Sequence, residues 1–447
     1  MPKTLFGTDG IRGVAGEYPL DPSTVYAFGL ALGSDVRRAR PDAAVVIGMD
    51  TRESGPWIAA QVAAGLATRG VRVRFAGVVT TPGIAWLTRT HAFTAGVMIS
   101  ASHNPYQDNG IKVFGHSGFK LPDDEEHAIE QEIIRLRDGL GAPPPAPALQ
   151  PEPGLDRQYL DYLASTVSTR FDGLRIVLDC GNGAASELAP ALFRRLGAEV
   201  RATCAEPNGR NINLGCGALH LEPLCAAVVA DRADAGVAFD GDADRAIFVD
   251  HTCQIVDGDA VMLIAARALK AAGKLDGGVV VATVMSNLGL ERALDREGIR
   301  LLRTPVGDKY VLEEMVRVGA ALGGEQSGHV IFRQYATTGD GLLTALRILE
   351  IARQSGAGLA ELRAGLEIYP QRLKNVRVRE RRTLTEFPAV AREIALCESA
   401  FGPQGRVLVR FSGTEPLARV MVEGPDLAQV EEFTNRIADA IQNEIGA

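Results

Sequence analysis

Three stretches of this chain repeat one pattern: an apolar, β-prone run, a tight turn, then a helical segment. Ala44–Gly48 leads into Asp50-Thr51-Arg52, Arg175–Leu178 into Asp179-Cys180-Gly181-Asn182-Gly183, and Gly278–Val284 into Met285-Ser286-Asn287. Strands alternating with helices make βαβ units, in which each helix carries the chain back so that the next strand can lie parallel. Three such starts predict three α/β domains, related as a diverged internal repeat. The tail differs. Asn375–Val378, Arg406–Arg410 and Arg419–Val422 read as short strands, and a helix with Val430, Phe433 and Ile437 on one face closes the chain. Few crossover helices fit between them, so a small α+β domain is expected there.

Size supports this division. The 447 residues allow three or four domains of the usual ~100–200. With 46% hydrophobic residues, each can bury a core. Gly141–Gly154 holds six prolines and reads as a linker after an amphipathic helix bearing Ile129, Ile133 and Leu136. The expected domains are 1–151, 152–250, 251–368 and 369–447.

A net charge of −8 argues against wholesale nucleic-acid binding, while local basic residues can still hold a phosphorylated substrate. Cys180, Cys204, Cys216, Cys225, Cys253 and Cys397 form no C-x-x-C pair or paired framework, which predicts reduced thiols in a cytoplasm. The opening Met-Pro-Lys-Thr-Leu-Phe-Gly lacks a long apolar stretch, so no signal peptide is expected. No apolar run reaches the ~18 residues of a membrane span, and no membrane partner is expected.

Asp240-Gly241-Asp242-Ala243-Asp244 follows the apolar Gly236-Val237-Ala238-Phe239. In an extended backbone, alternation aims all three carboxylates at one point. Such anions repel unless a cation lies between them, and their hard oxygens suit Mg²⁺, Mn²⁺ or Ca²⁺. An EF-hand loop would need Gly and Glu where Arg245 and His251 stand. A solvated acidic turn is the plain alternative, opposed by the apolar run Ala246-Ile247-Phe248-Val249 that follows.

Four other loops carry reactive groups. Met98-Ile99-Ser100-Ala101-Ser102-His103-Asn104-Pro105 runs from a strand into a turn, with Lys112 soon after. A hydroxyl there can act as nucleophile or phosphate carrier. No G-x-S-x-G elbow supports a serine hydrolase. Spacing alone leaves Ser100 and Ser102 equivalent. Arg410-Phe411-Ser412-Gly413-Thr414-Glu415-Pro416 offers hydroxyls and successive N–H groups for a phosphate, with Arg410 or Arg419 supplying charge. Gly323-Gly324-Glu325-Gln326-Ser327-Gly328-His329 places Glu325 and Ser327 to bond sugar hydroxyls and His329 to move protons. Gly7-Thr8-Asp9-Gly10-Ile11-Arg12-Gly13 holds one cation, Arg12. Taken singly, each also reads as an ordinary turn.

Taken together, the loops carry more weight. The chain resembles the α-D-phosphohexomutase family over its whole length: serine, metal, sugar and phosphate loops occur in family order, one per domain. Phe6–Gly13, Asp108-Asn109-Gly110-Ile111-Lys112 and Gln326 are most similar to bacterial members acting on glucosamine phosphate. The resemblance implies four domains around a central cleft, three related α/β domains with mixed sheets and a smaller, mobile C-terminal α+β domain. It implies a phosphoserine at Ser102 and Mg²⁺ held by Ser102, Asp240, Asp242 and Asp244. Glucosamine 6-phosphate and glucosamine 1-phosphate would interconvert through a 1,6-bisphosphate, which also serves as activator. His103, Lys112, Arg12 and His329 are the implied catalytic residues, and the general acid and base stay open between Lys112 and His329. Arg245, Glu325, Ser327, Arg410, Ser412, Gly413, Thr414 and Arg419 are the implied substrate ligands. The partner expected is a sugar phosphate, with a monomer or homodimer in the cytoplasm. Rival expectations are the same chemistry on mannose or glucose phosphate, a phosphatase using Asp240 as nucleophile, and a non-catalytic sugar-phosphate sensor. A phosphatase leaves the serine, sugar and phosphate loops unexplained, and a sensor has no need of Ser102 with all three Asp.

Overall fold

The structure, a computed structural model, describes residues 5–7, 9–380, 386–412 and 416–447. Two compact units separate: Met1–Met285 with Leu301–Ala364, and Ser286–Arg300 with Gly365–Ala447.

The first unit holds three mixed sheets. The first is built from β1 (Phe6–Gly7), β2 (Gly10–Val14), α1 (Pro22–Ala39), β3 (Ala44–Met49), α2 (Gly55–Thr68), β4 (Arg72–Val78), α3 (Thr81–Thr90), β5 (Ala95–Ile99), β6 (Asp108–Gly115) and α4 (Asp123–Arg137). The second follows α5 (Leu155–Ser165) and contains β7 (Arg175–Asp179), α6 (Ala185–Arg195), β8 (Glu199–Thr203), α7 (Glu222–Asp231), β9 (Ala235–Phe239), β10 (Ala246–Asp250) and β11 (Ile255–Val256). The third belongs with α8 (Gly258–Ala271), β12 (Val279–Thr283), β13 (Arg300–Thr304), α10 (Asp308–Val318), β14 (Leu322–Gly324), β15 (Val330–Phe332), α11 (Gly341–Ser355) and α12 (Leu359–Leu362), while α9 (Leu288–Arg296), between β12 and β13 in sequence, lies in the second unit.

The strand orders share one plan: β6-β5-β3-β4, β10-β9-β7-β8 and β15-β14-β12-β13. The apolar runs at β3, β7 and β12 sit inside their sheets, next to a parallel neighbour. Each sheet then turns back through an antiparallel pair, β5–β6, β9–β10 or β14–β15. The links within those pairs carry the serine, acidic and Glu325–His329 motifs. The internal repeat therefore places the three chemistry-bearing loops at equivalent points.

Helix starts follow local chemistry. Asp21 caps α1 by accepting from Thr24 N, with Pro22 in the first turn, and Asp257 caps α8 by accepting from Ala260 N.

Strand β11 pairs with β10, so the second sheet runs to Val256. The Ser286–Arg300 segment clusters with residues 365–447. One expectation is corrected. Cys225 and Cys253, expected reduced, form a disulfide with Cα atoms 5.2 Å apart. The β10–β11 hairpin brings its turn beside α7, an approach that a separation of 28 residues does not reveal. Cys180, Cys204, Cys216 and Cys397 are free thiols.

In the second unit, β16 (Gln371–Arg377), β18 (Leu417–Glu423) and β17 (Arg406–Phe411) form an antiparallel sheet in that spatial order. Val376, Val420, Val422, Phe433, Ile437 and Ile441 share its core with α13 (Pro388–Phe401) and α14 (Leu427–Ile445). Buried Glu423 pairs with Arg406 at 2.8 Å and accepts from Leu288 N, tying α9 to the sheet. Among the described residues, no helix is long and apolar enough to cross a membrane.

Candidate active site

Beyond the end of β5 the chain turns sharply, and Ser102 takes a left-handed φ of +54°. A non-glycine residue there costs on the order of 1–3 kcal/mol and persists only when its surroundings hold it. Ser102 N–H donates to Ser100 Oγ at 2.9 Å, and Ser100 Oγ donates to Asp50 Oδ2 at 2.6 Å. The turn separates two serines that an extended chain would leave on one face. Ser100 is sealed in the core with its proton committed to Asp50. Ser102 Oγ instead donates to Asp240 Oδ2 at 2.5 Å and lies 3.4 Å from His103 Nδ1.

Asp240, Asp242 and Asp244 do converge, with carboxylate oxygens within 4.8 Å of one another. They do so through a compact turn and not the extended backbone expected. Ala243 N–H donates to Asp240 O at 3.0 Å, and Ala243 has φ +54°. The turn presses against the serine loop so closely that a β-carbon on Gly241 would lie 2.5 Å from Ser102 O. Thr81, at the start of α3, fastens Asp242 twice: its N–H donates to Asp242 O at 3.0 Å and its hydroxyl to Oδ2 at 2.5 Å.

Charge in this cluster is large and buried. Burial, reinforced by the charges of Asp244 and Asp242, pushes the Asp240 carboxyl well above its ordinary range. Burial also works to raise Asp244, but Lys112, His329 and Arg245 outweigh it and hold Asp244 well below. Lys112 Nζ lies 2.8 Å from Asp242 and 3.5 Å from Asp244. Asp242 Oδ1 and Asp244 Oδ1 are buried without a hydrogen-bond partner. Orphaned carboxylate oxygens beside a third carboxylate and a serine hydroxyl fit a hard divalent cation.

Lys112 belongs to a closed chain of charges. It reaches Asp9 at 3.0 Å, Asp9 reaches Lys120 at 2.5 Å, and Lys120 reaches Asp308 at 2.5 Å. Asp308 lies 3.5 Å from His329 Nε2, and His329 Nδ1 lies 3.6 Å from Asp244. Burial would lower the Lys112 pKa, but Asp242, Asp9 and Asp244 carry it well above the usual value. Asp9 is placed by Gly10, whose φ is +80° and whose β-carbon would sit 2.3 Å from Ile111 O. Burial opposes the charge on His329, while Asp244 and Asp308 raise its pKa overall. Gly339 N–H donates to His329 Nε2 at 2.9 Å, which requires a lone pair there. The neutral Nδ1–H tautomer satisfies both neighbours.

The remaining expected residues divide. Arg12 pairs with Asp9 at 2.5 Å, and Arg245 approaches Asp244 at 3.9 Å. Burial, then the charges of Arg245 and Arg12, lower the His103 pKa to about 4. Glu325 accepts from Gly307 N–H at 3.2 Å, and Ser327 is exposed at the loop tip. In the second unit, Arg410 and Arg419 stand opposite each other across β17 and β18. Burial and the neighbouring Arg419 lower the Arg410 pKa. Facing like charges destabilise a sheet, and an anion between them would relieve this. Ser412 N–H donates to Leu417 O at 2.8 Å. Gly413 and Thr414 lie outside the described residues.

Sequence reasoning missed Asp9, Lys120, Asp308, Thr81, Arg52 and Asn213. Asp9 stood inside a motif already singled out, whereas Lys120 and Thr81 had no local signal. A second cluster, Asp179 with Cys204 and Cys216, is a structural brace: the Asp179 oxygens accept from Gly181 and Gly217 N–H, each at 2.9 Å.

Four domain models of one family match in order: phosphoglucomutase/phosphomannomutase alpha/beta/alpha domain I over residues 3–138, domain II over 157–254, domain III over 257–369 and the C-terminal domain over 373–440. The chain belongs to the phosphoglucomutase/phosphomannomutase family. It is 70% identical to a phosphoglucosamine mutase of Solibacter usitatus over all of both chains. It is 53% identical to that of Koribacter versatilis, covering 99% of this chain and 98% of the relative. A crystal structure of a phosphoglucomutase/phosphomannomutase family protein from Burkholderia thailandensis superposes with a TM-score of 0.79 at 25% identity, covering 99% of each chain. The Aspergillus fumigatus N-acetylphosphoglucosamine mutase, solved with GlcNAc-6P and magnesium, shares the fold at 18% identity and TM-score 0.65, covering 98% of this chain and 96% of that one.

Proposed function

We propose that this chain is a phosphoglucosamine mutase, interconverting glucosamine 6-phosphate and glucosamine 1-phosphate through a phosphoserine and a 1,6-bisphosphate. The observation that carries the chemistry is the Ser102 hydroxyl, in a strained turn, 2.5 Å from one member of a buried three-carboxylate cluster. The sugar is taken from the full-length relatives.

Asp240, Asp242 and Asp244 would hold Mg²⁺ together with an oxygen on Ser102. Bound there, the ion supplies charge neutralisation for the phosphoryl group in flight. The phosphoryl group leaves Ser102 Oγ for the free sugar hydroxyl, breaking one P–O bond and making another. The bisphosphate then turns over, and Ser102 Oγ takes the other phosphoryl group. Three carboxylates, a divalent ion and a dianionic phosphoserine leave three negative charges, which Arg12, Lys112 and Arg245 offset. Lys112, firmly protonated, gives a proton to the departing oxygen and takes up the one that the attacking sugar hydroxyl releases. His329, with both ring nitrogens engaged, orients Asp244, and neutral His103 lies against the phosphoserine. Glu325 and Ser327 bond ring hydroxyls. Arg410, Ser412, Gly413, Thr414 and Arg419 hold the substrate's other phosphate. A hexosamine or hexose 1,6-bisphosphate rephosphorylates idle enzyme. The chain works in the cytoplasm as a monomer or homodimer, and its product feeds UDP-N-acetylglucosamine and cell-wall synthesis.

A coupled assay of the purified protein with glucosamine, glucose and mannose 6-phosphates side by side tests the substrate. Glu325 and Ser327 face hydroxyls common to glucose and glucosamine, so discrimination rests at the 2-position. One polar contact there is worth roughly 1–3 kcal/mol, or ~5- to ~150-fold in kcat/KM. The expected result is preference for glucosamine with slow turnover of glucose. Higher kcat/KM for glucose or mannose phosphate would move the assignment to that sugar.

A further inference from the structure

The carbonyl oxygens of Ser102 and Asn104 each accept from the same two side chains. Arg52 Nη2 donates to them at 3.1 and 2.6 Å, and Asn213 Nδ2 at 2.9 and 3.0 Å. Arg52 comes from the turn after β3, and Asn213 from the loop after β8. The serine turn is therefore gripped from the first and second sheets together.

Arg52 and Asp50 form an ion pair in which both side chains are fully buried. Asp50 also holds the Ser100 hydroxyl that receives Ser102 N–H. One network thus fixes both backbone polar groups of Ser102. Asn213 is itself left-handed, with φ +57°, and its N–H is anchored on Gly181 O at 2.8 Å. A buried ion pair seldom contributes more stability than apolar residues of the same volume. Arg52 Nε is, moreover, buried without a hydrogen-bond partner. The arrangement favours the placement of two carbonyls over complete pairing of the guanidinium.

We infer that Arg52 and Asn213 are positioning residues that hold Ser102 in the conformation aiming its Oγ at Asp240, so that losing either slows phosphoryl transfer without weakening substrate binding. This rests on Ser102 being the phosphate carrier proposed above. Lysine lacks the planar fork that serves Asp50 and both carbonyls at once, so Arg52→Lys is not conservative here. Asn213→Ala removes the other half of the grip and leaves the buried ion pair intact.

The test is single-turnover transfer from Ser102 to glucosamine 6-phosphate, after loading each protein with glucose 1,6-bisphosphate. Rates are normalised to phosphoserine measured by intact mass, so an unfolded fraction does not count. Displacing reacting atoms by about 1 Å can cost ~10²-fold. The expected slowing is roughly 10- to 100-fold for Arg52→Lys and about 10-fold for Asn213→Ala, with KM within about threefold of wild type. Wild-type transfer rates in both variants, or a loss confined to KM, would overturn the inference and leave the mutase reading standing. If Arg52→Lys does not fold, Asn213→Ala decides alone. Wild-type protein that accepts no phosphate on Ser102 would overturn both.

Discussion

At the residue scale, function separates from support most clearly at the two serines. Ser102→Ala is expected to abolish both turnover and the phosphate found by intact-mass and peptide mapping. Ser100→Ala is expected to keep its phosphate on Ser102 and lose about 1–3 kcal/mol of stability, because Asp50 loses a buried donor. Phosphate confined to Ser100, or an active Ser102→Ala, would contradict this. Asp242→Asn removes one of three converging carboxylates while keeping shape. Activity should fall by at least ~10²-fold with little change in melting temperature, and wild type in EDTA should behave alike. Full turnover in either case would refute the metal site.

At the scale of elements, the site depends on loops pressed together and on helix starts that face them. Gly241→Ala pushes a methyl group to within 2.5 Å of Ser102 O, so activity should drop at least tenfold in a folded protein by the same coupled assay. Asp340 caps helix α11, accepting from Leu343 N–H, and also accepts from the Tyr159 hydroxyl at 2.6 Å. Burial raises the Asp340 pKa from 3.8 to about 6. An acid so raised favours folding below its unfolded pKa, and that contribution is lost as pH climbs through the folded one. Asp340→Asn keeps the cap without titrating. Relative to this variant, wild type should lose roughly 2 kcal/mol between pH 4 and pH 6.5, measured by denaturant unfolding at each pH. A pH-independent difference would contradict the account.

At the scale of the whole molecule, the repeat was legible because apolar runs at β3, β7 and β12 are local signals. The loops following β5, β9 and β14 were legible as motifs for the same reason. What sequence could not supply was the convergence between them. The left-handed turn at Ser102, the compact acidic turn and the Lys112–Asp9–Lys120–Asp308–His329 ring each arise from contacts across more than a hundred residues or from backbone signs that letters do not encode. The Cys225–Cys253 bond was missed likewise. The central claim is that Ser102 passes its phosphoryl group to the sugar. The direct measurement is to load Ser102 with ³²P, mix the protein with unlabelled glucosamine 6-phosphate and Mg²⁺, and locate the label after one turnover. It should appear on the 1,6-bisphosphate and then at the 1-position of glucosamine 1-phosphate, with Ser102 still phosphorylated. Label retained on the protein during turnover, or released as inorganic phosphate, would contradict the account.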